Sequence, residues 1–139
     1  MRILGSIENT DAVAGFQFDL EIPSIISYVD TTILASRFDD HQLEIQPSDS
    51  IIRVLVFSSS LSPLVGNSGT VLTLMFLTEP ILETFELSLI DPVLGDANFE
   101  NILTGFSNAT ITLDTPVPEI EPFSMASIYE DSSFVIYGD

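Results

Sequence analysis

Ala12-Val13-Ala14-Gly15-Phe16-Gln17-Phe18-Asp19-Leu20-Glu21-Ile22 places an apolar side chain at every even position and sets Gln17, Asp19 and Glu21 between them. A period of two sends alternate side chains to opposite faces, so this stretch reads as a β-strand with one buried face. The same alternation returns in Phe85-Glu86-Leu87-Ser88-Leu89 and Ala109-Thr110-Ile111-Thr112-Leu113. Two other runs, Ile51 to Phe57 and Thr70 to Leu77, are short, apolar and rich in β-branched or aromatic residues, the character of strands covered on both faces. Shorter strands fit Ile3 to Ile7, Thr32 to Ala35 and Gln42 to Gln46. Turn formers punctuate these runs at Ser58 to Pro63, Gly66-Asn67-Ser68-Gly69, Asp91-Pro92 and Gly95-Asp96-Ala97-Asn98. One helical turn fits Glu79 to Thr84, and no longer stretch carries a helical stripe between caps. About eight or nine strands, with turn signals roughly every ten residues, predict an all-β sandwich of two sheets.

Composition narrows the function. The 139 residues suit one domain with a substantial core. Lys is absent, Arg2, Arg37 and Arg53 are the only strong bases, and 21 Asp and Glu residues bring the formal charge to −18. Nucleic acid and anionic membrane surfaces are thereby excluded as natural partners, because binding them needs clustered cations. With 45% hydrophobic and 17% charged residues the chain has enough apolar surface to fold. There is no cysteine, hence no disulfide, zinc thiolate or thiol nucleophile. No apolar run approaches the roughly 18 residues of a spanning helix, so membrane insertion is not expected. Met1 to Gly5 is too short for a signal peptide before Glu8 and Asp11 intervene. A mean hydropathy of +0.40 is high for so acidic a chain and predicts that some apolar faces meet another chain.

Toward the end, Thr115-Pro116-Val117-Pro118-Glu119-Ile120-Glu121-Pro122 carries three prolines in eight residues. Proline fixes φ and donates no ladder hydrogen bond, so 114–122 reads as an extended linker. Strand character returns at Met125 to Tyr129 and Phe134 to Tyr137. The expected organisation is a sandwich over 1–113, the linker, and a C-terminal strand segment at 123–139.

Three stretches resemble cohesin domains. Asn9-Thr10-Asp11-Ala12-Val13-Ala14-Gly15-Phe16-Gln17-Phe18-Asp19-Leu20 is similar to their second-to-third strand segment. Gly66 to Phe76 resembles their glycine turn and central strand, and Asn108 to Leu113 their closing strand. The resemblance covers roughly residues 3 to 113 and implies a jelly-roll β-sandwich acting as a non-enzymatic, extracellular or cell-surface binding module. Cohesins commonly dock calcium-loaded dockerins, so a dockerin-like protein is one implied partner; related carbohydrate-binding sandwiches share much of the pattern. The family opens with a strand and a Gly-Asp turn before the strand that Arg2 to Glu8 matches. Here that piece resembles Ala126 to Asp139, as though the first strand had moved to the C-terminus.

A sandwich without its first strand exposes an apolar groove and an unpaired edge until a strand fills it. The expected anchors are Phe134, Val135, Ile136 and Tyr137, and the expected acceptor groove is formed by Ile3, Ile7, Phe16 and Phe18. Either the chain's own tail fills the slot, or a neighbouring copy donates it by strand addition, head to tail, into a ring or filament. An eight-residue polyproline-like linker reaches ~25 Å, enough for both routes. A piece cut from a tandem array, its last segment opening the next repeat, fits the same residues.

For chemistry, Asp91, Asp96 and Asn98 stand in an oxygen-rich stretch read as a loop, a candidate calcium site, with Asp30, Asp39, Asp40 and Asp131 as other ligands. Asp and Asn also favour turns on their own account. His41, the single histidine, follows Asp39-Asp40 in an expected solvent-exposed turn, and no Gly-x-Ser-x-Gly elbow accompanies it. Asn108-Ala109-Thr110 satisfies the N-glycosylation pattern inside an expected strand.

Overall fold

Alternation in sequence becomes alternation in burial. In β2 (Gly15–Glu21), Phe16, Phe18 and Leu20 are buried while Gln17 and Glu21 are exposed. The structure is a computed structural model that describes residues 1–34, 37–38, 40–78, 82–113 and 132–139. The other strands among these residues are β1 (Arg2–Glu8), β3 (Ile26–Leu34), β4 (Gln42–Pro47), β5 (Ile51–Phe57), β6 (Thr70–Thr78), β7 (Glu83–Gly95), β8 (Leu103–Ser107), β9 (Ala109–Leu113) and β10 (Ser132–Gly138). They form a two-sheet jelly-roll sandwich, with orders β3-β6-β1-β10-β8 and β4-β5-β2-β7-β9. Ile3 and Ile7 from the first sheet and Phe18, Val54, Leu87 and Ile111 from the second meet in one buried core. The linker at 114–122, the strand expected at Met125 to Tyr129, residues 79–81 of the expected helical turn, Asp39 and Asp131 lie outside the described residues, as does the side chain of Asp30; Glu83 and Thr84, expected to end that turn, are strand residues of β7.

Several details differ from the sequence reading. Ile51, Leu55 and Phe57 on β5 are only half-buried, and Leu77 on β6 is 68% exposed. These strands are therefore not covered on both faces: in an antiparallel sandwich only the inner face meets the other sheet. Asp91-Pro92 is not a turn, because β7 runs straight through it. Gln17 pairs with Val93 and Asp19 with Ile90, so Asp91 and Pro92 together face Phe18 in a bulge, with Asp91 at φ 49°. Proline, which has no N–H to give the ladder, is tolerated there. β3 begins at Ile26 rather than Thr32, and β8 is an edge strand that the sequence reading did not mark.

Among the described residues every strand pairing is antiparallel except that of β1 with β10. A hairpin running from Asp139 into Met1 would pair these two strands antiparallel. Instead Ile3 lies beside Ser132 and Glu8 beside Tyr137, so the two termini fall at opposite ends of β1. Met1 is fixed to Phe76 by reciprocal main-chain hydrogen bonds of 3.0 and 2.9 Å, while the Asp139 carbonyl accepts the Asp11 amide. The C-terminal strand thus lies beside β1 in the direction opposite to that of a transposed first hairpin strand.

Candidate functional site

The segment holding β10 is built of two halves. Along the strand, Phe134 and Ile136 point inward at 1% exposure each, and Val135 and Tyr137 point outward, Tyr137 at 39%. Strand alternation permits no more than this, so two of the four expected anchors are inserted and two are not. The Phe134 ring meets Phe18 edge to face at 5.1 Å between centroids. Phe16 lies one ring further, stacked on Phe18 at 6.2 Å; both stand on β2 of the facing sheet, with Phe18 the one whose ring meets Phe134. Ile3 and Ile7 stand inward on β1, with Ile7 directly beside Ile136. On its other side β10 pairs with β8, and the Asp139 amide donates to the Ile102 carbonyl at 2.9 Å.

The sequence reading missed the residue that braces the end of this slot. Arg37 is buried, and its Nε–H donates to the Val65 carbonyl at 2.8 Å. Nη1 donates to the carbonyls of Ile7 and Gly69, and Nη2 to Asn9 Oδ1 and the Gly66 carbonyl. None of these acceptors is a carboxylate, and burial pushes the Arg37 pKa below its ordinary value. Asn9 in turn donates from Nδ2 to the Asp11 carbonyl at 2.8 Å, and the Asp11 amide holds the Asp139 carbonyl. Arg37 therefore ties the 65–69 loop and the end of β1 to the turn that receives the chain's last residue. A scarce, lone arginine between apolar runs was the available signal.

The candidate calcium residues are not brought together. Asp91 sits within β7, whereas Asp96 and Asn98 lie in the turn that follows Gly95. Asp96 Oδ1 accepts the amides of Asn98 and Glu100 at 2.8 and 2.9 Å, the work of a turn-forming aspartate. Among the described residues no three His, Asp or Glu side chains gather to hold a metal. His41 is buried against the Phe38 ring, 5.3 Å between centroids, and not in an exposed turn. Asp40 accepts from Ser58 Oγ at 2.5 Å and from Ser60 Oγ, which holds its carboxyl below the usual carboxylate range. Asn108 Oδ1 accepts the Leu89 amide at 2.9 Å, so the glycosylation-pattern side chain is engaged in joining strands.

A second feature lies on the outer face of the β4-β5-β2-β7-β9 sheet. Gly15, Phe57 and Val93 floor an apolar hollow of about 560 Å³, walled by Leu61 and Phe99. Phe99 is 83% exposed and holds φ 64° at the tip of the 96–100 turn. Asp96 and Glu100 stand at its rim. Farther along the face, Arg53 grips Asp19 with two hydrogen bonds of 2.8 and 3.0 Å and lowers its pKa.

No family model and no curated protein matches the chain. Solved structures do. A non-cellulosomal cohesin of the archaeon Archaeoglobus fulgidus superposes with a TM-score of 0.55 at 13% identity, over 100% of this chain and 91% of that one. The fold is cohesin-like. The sixth cohesin of Acetivibrio cellulolyticus scaffoldin B, solved with a Cel5 dockerin mutant, gives 0.63 at 13% identity over 81% of this chain and 99% of that one. A Clostridium thermocellum cohesin in a type I cohesin–dockerin complex gives 0.55 at 9% identity over 99% and 94%.

Proposed function

We propose that this cohesin-like chain is a non-enzymatic protein-interaction and assembly module working outside the cell, its sandwich completed by the C-terminal strand of a neighbouring copy, head to tail. The observation that supports this most is the position of β10, inserted between β1 and β8 inside its sheet and paired with both. Departure of β10 uncovers Ile3, Ile7 and Phe18 and two rows of main-chain groups, a surface that seeks another strand. Burial of Phe134 and Ile136 supplies about 1.5–3 kcal/mol each to whichever copy donates them. Tail and slot are different surfaces, so each copy has one free end of each kind and the array closes as a ring or continues as a filament. The division into a sandwich at 1–113, a proline-rich tether at 114–122 and a donor at 123–139 belongs to this reading.

Light scattering on the full chain and on the Phe134→Asp variant tests this. The reading requires multimers that grow with concentration in the first and vanish in the second. A full chain monomeric at every concentration contradicts it.

A second reading, capture of a dockerin-like partner on the outer sheet face, is favoured by the hollow beside Phe99. Its acidic rim and the net charge of −18 call for an apolar anchor flanked by Lys or Arg. Phe99→Ala would abolish that capture and leave strand assembly intact; capture unchanged by the substitution argues against this face.

A further inference from the structure

Two glycines shape the slot at the points where β10 is widest and narrowest. Gly5 lies beside Phe134 in register, and a Cβ built on it would stand 2.7 Å from Phe134 Cζ and 3.4 Å from Leu72 Cδ1. The ring cannot swing clear, because it is buried and already meets Phe18 edge to face. Gly5 is thus the socket for an aromatic ring. At the other end, a Cβ on Gly138 would stand 2.7 Å from Cδ1 of Leu94, a fully buried residue of the facing sheet. Between these points Ile136 packs inward beside Ile7.

We infer that the slot selects its strand by sequence: an aromatic residue, an apolar residue two positions on and a glycine two beyond that, running parallel to β1, as the C-terminal strand of a second copy of this chain carries them. Gly5, Phe18, Leu72 and Leu94 are the specificity-determining residues. The partner that fits is the segment holding Phe134, Ile136 and Gly138 of a second copy of this chain. As a statement about partners in trans, the inference rests on the strand-exchange reading; as a statement about size matching, it does not.

The test uses the full chain and fluorescent peptides copying residues 132–139, incubated near the unfolding midpoint so that the resident strand can be displaced. The chain with Gly5 takes up the Phe134 peptide about tenfold better than a Phe134→Leu copy, the discrimination expected of a shaped apolar pocket. In the Gly5→Ala chain that preference reverses, and a Gly138→Val peptide enters neither. Thermal midpoints of Gly5→Ala, Phe134→Leu and the double variant are read alongside. The double variant loses clearly less than the sum of the two single losses, because Leu lacks the ring atom that a methyl group at position 5 would strike. Additive losses, or uptake indifferent to residues 5, 134 and 138, overturn the inference. Coupled midpoints with no peptide uptake uphold size selection and sink strand exchange, which separates the two failures.

Discussion

All five N–H donors of Arg37 meet an oxygen, those of Val65, Ile7, Gly69, Asn9 and Gly66. No other side chain has so many donors in a planar fork, and Lys, with three, reaches only some of those acceptors. Arg37→Ala leaves carbonyls buried without donors and is expected to cost about 3 kcal/mol or more, with Arg37→Lys recovering only part of it, measured by urea unfolding. Equal stability of all three proteins would show that the network is dispensable. Asp40 carries a pH prediction. Its pKa is depressed in the folded chain by the Ser58 and Ser60 hydroxyls, so its stabilising effect is fully present above the unfolded value and is lost as pH falls through the folded one. In Asp40→Asn the decline of stability as pH falls through and below the ordinary carboxylate range becomes shallower; an unchanged decline refutes the assignment. Neither residue could be assigned its role from sequence. Arg37 acts through carbonyls of a loop some thirty residues away, and such acceptors carry no side-chain signature.

At the scale of elements, the inward face of the first strands read was legible because alternation is a local property: Phe16, Phe18 and Leu20 are where period two puts them. The course of β7 past Leu89 was not, since Asp91-Pro92 signals a turn locally while pairing to β2 on both sides of it holds the strand on course through a bulge. β8 was missed because Gly105 and two polar residues dilute a short edge strand. The C-terminal strand was legible as a strand, yet its parallel direction rests on long-range pairing that no local pattern encodes. Phe134→Ala empties a socket between Gly5 and Phe18 and is expected to destabilise the fold by about 3–5 kcal/mol in thermal or urea melts. A loss below about 1 kcal/mol would mean that β10 is not a member of the core.

The whole molecule carries a charge of −18, and copies brought head to tail repel one another. The screening length grows from about 8 Å at 0.15 M salt to about 30 Å at 0.01 M, so multimers are expected to shrink on dilution of the salt and re-form when it is restored. Sedimentation velocity across that range reads the effect directly, and sizes independent of salt would show that charge does not oppose assembly. The acid excess and absent Lys were visible in composition, but the apolar hollow by Phe99 was not, because Gly15, Phe57, Val93 and Phe99 gather there from three strands and a turn.

Ser6 and Val135 lie side by side on the outer face of the β1–β10 pair, and the chain has no cysteine of its own. A chain carrying Ser6→Cys and Val135→Cys, oxidised at high concentration and run under denaturing, non-reducing conditions, reports who donates the strand. The account predicts a covalent ladder of dimers, trimers and longer species that collapses on reduction; internally closed monomers alone, or no cross-link at all, would contradict it.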